Sequence, residues 1–223
     1  MELSKMQMGD VFRNVLIERN IVDFADFRRT SSRTDGARTI FLYVGKVTVA
    51  KGVAFVLECL ASLPPHFEFE VDIIGTGDAE EPLRKSYLRD GRFHFHGLCN
   101  RQEVVRQYQR ASVLLVPSIW FEPAGLVIYQ AQVAGLPVIA SDSGGIPELL
   151  AGRDDSLVLP AGNQSTWTSS LRSVIEDAGI RKRMTDASMK HASEYQDAID
   201  SGATRVVDFC QSLITSNPTG GRH

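Results

Sequence analysis

Two lysines flank a short loop that could bind an anionic group. Lys46 and Lys51 follow an apolar run and precede a helix predicted to begin near Gly52. The first turn of a helix carries unpaired N–H groups and the positive end of the helix dipole, which together stabilise a phosphate. Two ammonium groups beside such a turn would suit a diphosphate. Taken alone, two exposed surface lysines are the simpler interpretation of this pattern.

An acidic residue stands just before a second predicted helix. Glu122 precedes residues 124–127, which would supply the unpaired amides of the first turn, and Gln130 lies about one turn further in. A carboxylate can accept hydrogen bonds from sugar hydroxyls, while the amides can hold phosphate oxygens. Taken singly, Glu122 is explained equally well as a helix-capping carboxylate.

Two glycines mark the end of another apolar run. Gly75 and Gly77 resemble the start of a G-x-G-x-x-G dinucleotide motif, but Glu80 replaces the third glycine. The motif also follows the second predicted strand rather than the first, so a nicotinamide-dependent oxidoreductase is poorly supported. A tight turn that lets a base or another backbone approach closely is the better interpretation.

The elements that would position these residues alternate along the chain. Apolar runs predict strands at residues 40–44, 69–74, 92–96, 113–116, 137–140 and 157–159. Helical spacing predicts helices at residues 53–63, 80–89, 102–110, 126–134, 165–176, 181–194 and 200–213. Continuous apolar strands are typical of parallel sheets buried on both faces. The pattern predicts an α/β fold: a single Rossmann-like domain whose parallel sheet has about six strands, with helices on both faces. Ligands bind such sheets at the carboxyl ends of the strands.

Composition excludes several classes of function. The 223 residues carry a formal net charge of -3 and no long basic run, which argues against a nucleic-acid partner. Cys59, Cys99 and Cys210 are widely spaced and form no C-x-x-C pair, so reduced thiols in a cytoplasmic protein are expected. No apolar stretch approaches the roughly 20 residues of a transmembrane helix, and the N-terminus lacks a signal-peptide core. Peripheral contact with a membrane is left open.

Six motifs, in order, resemble the donor-binding domain of a family of retaining glycosyltransferases. That family, GT4 and its relatives (glycosyltransferases group 1), includes sucrose, mannosyl and glycogen-type synthases and has the GT-B fold. The matching segments are residues 20–27, 45–52, 74–77, 97–118, 122–137 and 144–148. The segment E-P-A-G-L-V-I-Y-Q, for example, resembles the family's E-P-F-G-L-V-x-x-E. Each motif alone is weakly specific, but their order and spacing together are highly specific.

The resemblance implies a role for each matching residue. Lys46 and Lys51 would neutralise the diphosphate of a nucleotide sugar as it leaves, and Glu122 would hold hydroxyls of the transferred sugar. Further contacts to the donor would come from Gly45, Gly75, Gly77, Ser118, Gly125, Leu126 and, at the ribose, Gln130. Such enzymes generally need no metal, and no cofactor is implied beyond the donor substrate, whose nucleotide (UDP, GDP or ADP) the sequence does not identify.

Two substitutions depart from the family pattern. Gln130 stands where the family has a second glutamate, which removes a charge-assisted hydrogen bond and would weaken nucleotide binding by about 1 kcal/mol, or about fivefold. Lys46 stands at the usual arginine position, so a forked phosphate contact becomes a point charge.

The resemblance also sets the expected organisation of the chain. Residues 1–13 are interpreted as an N-terminal extension, 14–214 as the nucleotide-sugar-binding domain and 215–223 as a disordered tail. The predicted function is a hexosyltransferase-type donor domain whose acceptor-binding domain is absent from this chain. One alternative is a non-catalytic nucleotide-sugar-binding remnant or subunit that needs a partner protein. Another is half of a related epimerase or phosphorylase, although no lysine for pyridoxal phosphate is identifiable.

Overall fold

The computed structural model describes residues 24–29, 38–123 and 125–216. The chain divides into two compact units, one formed by Phe24–Tyr195 and the other by Met1–Asp23 with Gln196–His223. The predicted extension at residues 1–13, the first residues of the 20–27 motif, and residues 124 and 217–223 lie outside the described part.

Strands and helices alternate through the larger unit. The strands are β1 (Thr39–Val44), β2 (Phe69–Ile74), β3 (Phe93–Gly97), β4 (Val113–Val116), β5 (Val138–Ser141) and β6 (Ser156–Leu159). The α-helices are α1 (Val53–Ala61), α2 (Glu80–Ser86), α3 (Arg101–Arg110), α4 (Leu126–Ala134), α5 (Ile146–Leu150), α6 (Gln164–Glu176) and α7 (Ala178–Ser216). Short 3-10 turns at Ala25–Phe27 and Val49–Lys51 complete the described elements.

All six strands form one parallel sheet in the order β3-β2-β1-β4-β5-β6. This arrangement confirms the predicted α/β fold. From β1 the chain adds β2 and β3 on one side, and from β4 it adds β5 and β6 on the other. The strand order therefore reverses between the neighbouring strands β1 and β4. A crevice opens at their carboxyl ends, which is where ligands bind in sheets of this kind.

The core lies against both faces of the sheet. On one face, α1 presents Val53, Val56, Leu57 and Leu60 at helical spacing, and all four are fully buried. On the other face, the fully buried Tyr108 of α3 packs edge-on against Phe27, with ring centroids 5.0 Å apart. Burial on both faces explains why the central strands β1, β4 and β5 are mostly apolar.

Three features differ from the predicted elements. Helix α7 is continuous over Ala178–Ser216, where two helices at residues 181–194 and 200–213 were predicted, and it extends two residues into the predicted tail. Helix α5 (Ile146–Leu150) was not predicted, because five residues with a proline in the first turn show no clear period. The 3-10 turn Val49–Lys51 lies inside the predicted lysine loop.

Candidate functional site

The loop after β1 carries Lys46 and is held by hydrogen bonds at its start. The N–H of Gly45 donates to the carbonyl oxygen of Ile74 at 3.0 Å. The hydroxyl of Tyr43, buried near the end of β1, donates to the carbonyl oxygen of Lys46 at 2.6 Å. The backbone of Lys46 is therefore fixed while its side chain stays exposed.

The glycines after β2 let this loop pack against its neighbour. A Cβ atom on Gly75 would lie 1.8 Å from the carbonyl oxygen of Gly45, and one on Gly77 would lie 2.2 Å from that of Val47. The N–H of Val47 also donates to the carbonyl oxygen of Thr76 at 3.0 Å. The two glycines thus allow close backbone contact between the loops after β1 and β2.

The loop after β4 is joined to the lysine loop in the same way. A Cβ atom on Gly52 would lie 1.8 Å from the carbonyl oxygen of Pro117, and Gly52 has a left-handed φ of +68°. The N–H groups of Ile119 and Trp120 both donate to the carbonyl oxygen of Ala50, at 3.0 and 3.1 Å. These contacts bring the start of α1 beside the loop that leads into α4.

The loop after β5 supports the backbone of Glu122. Gly144 has a left-handed φ of +62°, and a Cβ atom there would lie 2.4 Å from the carbonyl oxygen of Glu122. The N–H of Gly145 donates to the same carbonyl oxygen at 2.8 Å. Nearby, the hydroxyl of Ser143 donates to the carbonyl oxygen of Trp120 at 2.6 Å. The position of Glu122 therefore depends on three loops from three strands.

A cavity of about 410 Å³ lies where these loops meet, at the carboxyl ends of β1 and β4. The predicted site residues in its wall are Gly45, Lys46, Lys51, Ser118, Glu122, Gly125 and Leu126. The rest of the wall is formed by Tyr43, Val44, Leu115, Val116, Pro117 and Val127. Three other predicted site residues, Gly75, Gly77 and Gln130, are not part of this wall.

The two lysines of the cavity have different surroundings. The ammonium of Lys51 forms an ion pair with Glu122, whose side chain is 13% exposed. The hydroxyl of Ser118 lies 3.5 Å from the same carboxylate oxygen, at the outer limit of a hydrogen bond. No acidic side chain of the described residues pairs with Lys46. One cation of the cavity is thus engaged and the other is available.

Helix α4 directs its amino end to the cavity. Gly125 is its N-cap residue, and no side chain of the described residues caps the helix there. Gly125, Leu126 and Val127 all lie in the cavity wall. Since the first amides of a helix lack partners within the helix, this end adds partial positive charge to that of the lysines.

Two buried tyrosines fix groups around the cavity. Burial, together with the charge of Glu122, raises the pKa of Tyr43 well above its usual value, so its hydroxyl stays protonated and donates to the lysine loop. Burial likewise raises the pKa of Tyr108, whose hydroxyl donates to the side-chain oxygen of Gln130 at 2.9 Å. The Tyr108 hydroxyl also lies 3.3 Å from the carbonyl oxygen of Val127. Gln130 therefore uses its oxygen within the protein.

Sequence reasoning missed Tyr43. Its signal was a phenol within a run, residues 40–44, whose other side chains are all hydrocarbon, two residues before Gly45. A buried tyrosine hydroxyl usually requires a hydrogen-bond partner, and the loop that follows was the nearest source of one.

A second charged cluster lies outside the cavity wall and joins β2 and β3 to the residue before β1 and to the end of α3. We call it the edge network: Arg38, Glu70, Asp72, His96 and Arg110. Asp72 is almost fully buried and binds both Nε2 of His96, at 2.7 Å, and the guanidinium of Arg110. Glu70 binds Arg110 and, at 2.9 Å, Arg38. His96 thus belongs to an ion-pair network.

Two kinds of feature are absent from the described residues. Among them, no group of three or more His, Cys, Asp or Glu side chains could hold a metal ion. None of the helices described is long and apolar enough to cross a membrane.

Comparison with known families resolves the identity of this domain. The model of the family described as glycosyl transferases group 1 matches residues 25–191. The chain belongs to this family. The match confirms the resemblance, since five of the six motifs, from residue 45 to residue 148, lie wholly within it.

Relatives in the glycosyltransferase family cover most of this chain. An uncharacterized glycosyltransferase of Methanocaldococcus jannaschii is 27% identical over 172 residues, which are 76% of this chain and 44% of the relative. D-inositol 3-phosphate glycosyltransferase of Corynebacterium efficiens is 26% identical over 192 residues, which are 82% of this chain and 45% of the relative. The chain thus spans less than half the length of these two relatives.

Solved structures of glycosyltransferases share the fold. HepE of Anabaena, in a complex with UDP, has a TM-score of 0.73 at 18% identity, over 87% of this chain and 57% of HepE. Sucrose-phosphate synthase of Thermosynechococcus elongatus has a TM-score of 0.68 at 22% identity, over 80% of this chain and 46% of that enzyme. These likenesses show that the parallel sheet and the helices packed on it have the fold of a GT-B domain.

Proposed function

We propose that this domain binds a nucleotide-diphosphate sugar and serves as the donor half of a retaining glycosyl transfer. The observation that carries the proposal is the convergence of Lys46, Lys51, Glu122 and the amino end of α4 on one cavity. The UDP and UDP-glucose complexes of HepE, which has the same fold, support a nucleotide sugar as the ligand.

The cations and amides of the cavity suit the diphosphate. Lys46 and Lys51 each bring one positive charge, and Gly125 and Leu126 lie at the positive end of α4. Negative charge grows on the diphosphate as its bond to the sugar breaks. Groups already placed around it stabilise that charge more in the transition state than in the ground state, which lowers the barrier.

The carboxylate of Glu122 suits the sugar. It lies in the same wall as the lysines. An ionised carboxylate accepts hydrogen bonds and donates none. Sugar hydroxyls are donors, so a sugar attached to the diphosphate would place them within its reach. Glu122 would then hold the transferred sugar in position.

The nucleoside would lie beyond the cavity wall, toward Gly75, Gly77 and Gln130. Since the Gln130 side-chain oxygen accepts from Tyr108, its amide nitrogen is the group left to contact the ribose. Gly75 and Gly77 would present backbone only, because they carry no side chain.

We also propose that a separate domain or subunit binds the acceptor. The whole relatives are more than twice as long as the matched segment. Trp120 and Phe121, next to Glu122 in the chain, are 74% and 67% exposed. Neighbouring large apolar side chains that are this exposed are typical of surfaces that another part of the assembly covers.

The proposal is tested by thermal unfolding with UDP, GDP and ADP, each alone and as a common sugar conjugate. A ligand at about 100 times its dissociation constant adds about 2.7 kcal/mol of stability. We expect one nucleotide series to stabilise the protein and Lys51→Ala to reduce that stabilisation. The matched control is Lys85→Ala, since Lys85 is 74% exposed on α2 and outside the cavity wall.

Two outcomes would contradict the proposal. One is a folded protein that none of the six ligands stabilises at millimolar concentration. The other is equal loss of stabilisation in Lys51→Ala and Lys85→Ala, which would indicate a general charge effect rather than a site.

A further inference from the structure

The ion pair between Lys51 and Glu122 places opposite charges in the same cavity wall. Lys51 is 39% exposed and Glu122 is 13% exposed, so the carboxylate is the more buried partner. Among the described residues its other contact is the Ser118 hydroxyl at 3.5 Å, which is a weak one. Glu122 therefore depends on Lys51 for most of its compensation in the ligand-free protein.

A diphosphate would compete with Glu122 for the same ammonium group. When Lys51 turns to a phosphate, a mostly buried carboxylate is left short of donors and close to a second negative group. Leaving a buried charge unpaired is unfavourable, and the like charges repel. A nucleoside diphosphate therefore binds against the cost of opening the pair.

A sugar on the diphosphate changes this balance. Its hydroxyls donate hydrogen bonds to Glu122, so they replace the donor that Lys51 withdraws. The nucleotide sugar then satisfies both partners of the pair, the ammonium through the phosphate and the carboxylate through the hydroxyls. The free nucleoside diphosphate satisfies only the ammonium.

We propose that the Lys51–Glu122 pair makes Glu122 a specificity-determining residue that favours the nucleotide sugar over the nucleoside diphosphate left after transfer. This inference rests on the proposed function and deepens it. It also gives the site a means of releasing product: once the sugar has left, Glu122 loses its hydroxyl donors and recovers Lys51 from the diphosphate.

The test is isothermal titration calorimetry with UDP and UDP-glucose, GDP and GDP-mannose, and ADP and ADP-glucose. Wild-type protein is titrated first, and the pair of ligands that binds is carried forward to Glu122→Gln, which keeps the shape of the side chain. We expect the variant to bind the nucleoside diphosphate about fivefold more tightly and the nucleotide sugar about fivefold more weakly. The opposite signs are the diagnostic result.

A double-mutant cycle separates the ion pair from direct repulsion between Glu122 and the phosphates. In a Lys51→Met background no pair exists to be opened, so Glu122→Gln should improve binding of the nucleoside diphosphate by less than about twofold. Unfolding temperatures of all variants, measured without ligand, identify any variant that fails to fold.

Each result has one meaning. Absence of binding by all six ligands to the wild type would overturn the proposed function, and this inference with it. Binding by the wild type, with both ligands moved in the same direction by Glu122→Gln, would overturn this inference alone. An equal gain in the two Lys51 backgrounds would also overturn it, because Glu122 would then act on the phosphate without Lys51.

Discussion

The crevice at the carboxyl ends of β1 and β4, which holds the cavity, and the edge network both contain several charged side chains. They differ in how those charges are compensated. In the edge network, Arg38 and Arg110 face Glu70 and Asp72, so the positive and negative charges balance. Burial raises the pKa of Glu70, but hydrogen bonds from Arg38 and Arg110 outweigh it and lower the pKa below the usual glutamate value. The network thus neutralises itself.

The crevice keeps an excess of positive charge. Glu122 neutralises Lys51, while Lys46 pairs with no acidic side chain of the described residues. A cavity of about 410 Å³ adjoins that lysine and the amino end of α4. The difference indicates that a cluster of charges marks a binding site when it leaves a charge uncompensated beside open volume, whereas a balanced cluster stabilises the fold.

The largest expected effect is on the edge network. Asp72→Ala should lower the free energy of unfolding by about 2 kcal/mol, because Arg110 and His96 lose a shared, buried acceptor. Stabilisation by nucleotides should be unchanged. Urea denaturation with and without ligand measures both quantities, and Asp72→Asn, which keeps an acceptor oxygen, should lose less. If a folded Asp72→Ala protein lost nucleotide binding, the two regions would not be independent.

Lys46→Ala should have the opposite effects: weaker nucleotide binding and nearly unchanged stability. We expect nucleotide affinity to fall about tenfold, since a charged hydrogen bond to phosphate is lost, while stability without ligand changes little because no ion pair is broken. Calorimetric titration and thermal unfolding of the same samples test this. A drop in stability with no change in affinity would assign Lys46 to the fold instead of the ligand.

Gln130→Glu should raise nucleotide affinity, by a smaller factor than Lys46→Ala lowers it. A glutamate can keep the hydrogen bond from Tyr108 through one oxygen and offer the other, with charge, to the ribose hydroxyls. Nucleotide affinity should rise about fivefold. Gln102→Glu, on the exposed surface of α3, controls for the added charge. Weaker binding in Gln130→Glu would indicate that the ribose lies elsewhere.

Glu70→Gln should give the smallest effect, through pH. Because the pKa of Glu70 is lower in the folded state, its ionised form adds stability above the usual glutamate pKa of about 4.3, and this stability is lost as the pH falls through the lowered value. The arginine partners are half exposed, so the difference at pH 7 should stay below about 1 kcal/mol. Unfolding curves of the two proteins should converge in acid; a constant gap would contradict the ion-pair explanation.

Much of the fold could be predicted because burial leaves a direct mark on sequence. The predicted bounds of β2, β4 and α4 agree with the structure, since the buried apolar positions of each element end sharply. The division of α7 was wrong. Residues 195–199, which the prediction left between two helices, continue the helix, and they contain neither glycine nor proline to end it.

The site was harder to predict, because its geometry depends on residues far apart in the chain. The motifs at the strand ends identified Lys51 and Glu122, yet their contact joins positions 71 residues apart and no local pattern encodes it. Gly75 and Gly77 were expected to approach a ligand or another backbone. The structure places them against the loop after β1, and their contact with a nucleotide stays a prediction.

The hydrogen bond from Gly145 to the carbonyl oxygen of Glu122 provides a natural spectroscopic probe of the site. The chemical shift of an amide proton depends strongly on the length of its hydrogen bond. The NMR signal of Gly145 would therefore register any displacement of the loop between β4 and α4, which carries Glu122. Glycine amides also resonate in a sparsely populated part of the ¹⁵N spectrum. Movement around Glu122 could therefore be followed during titration in the native protein, with no label attached near the cavity.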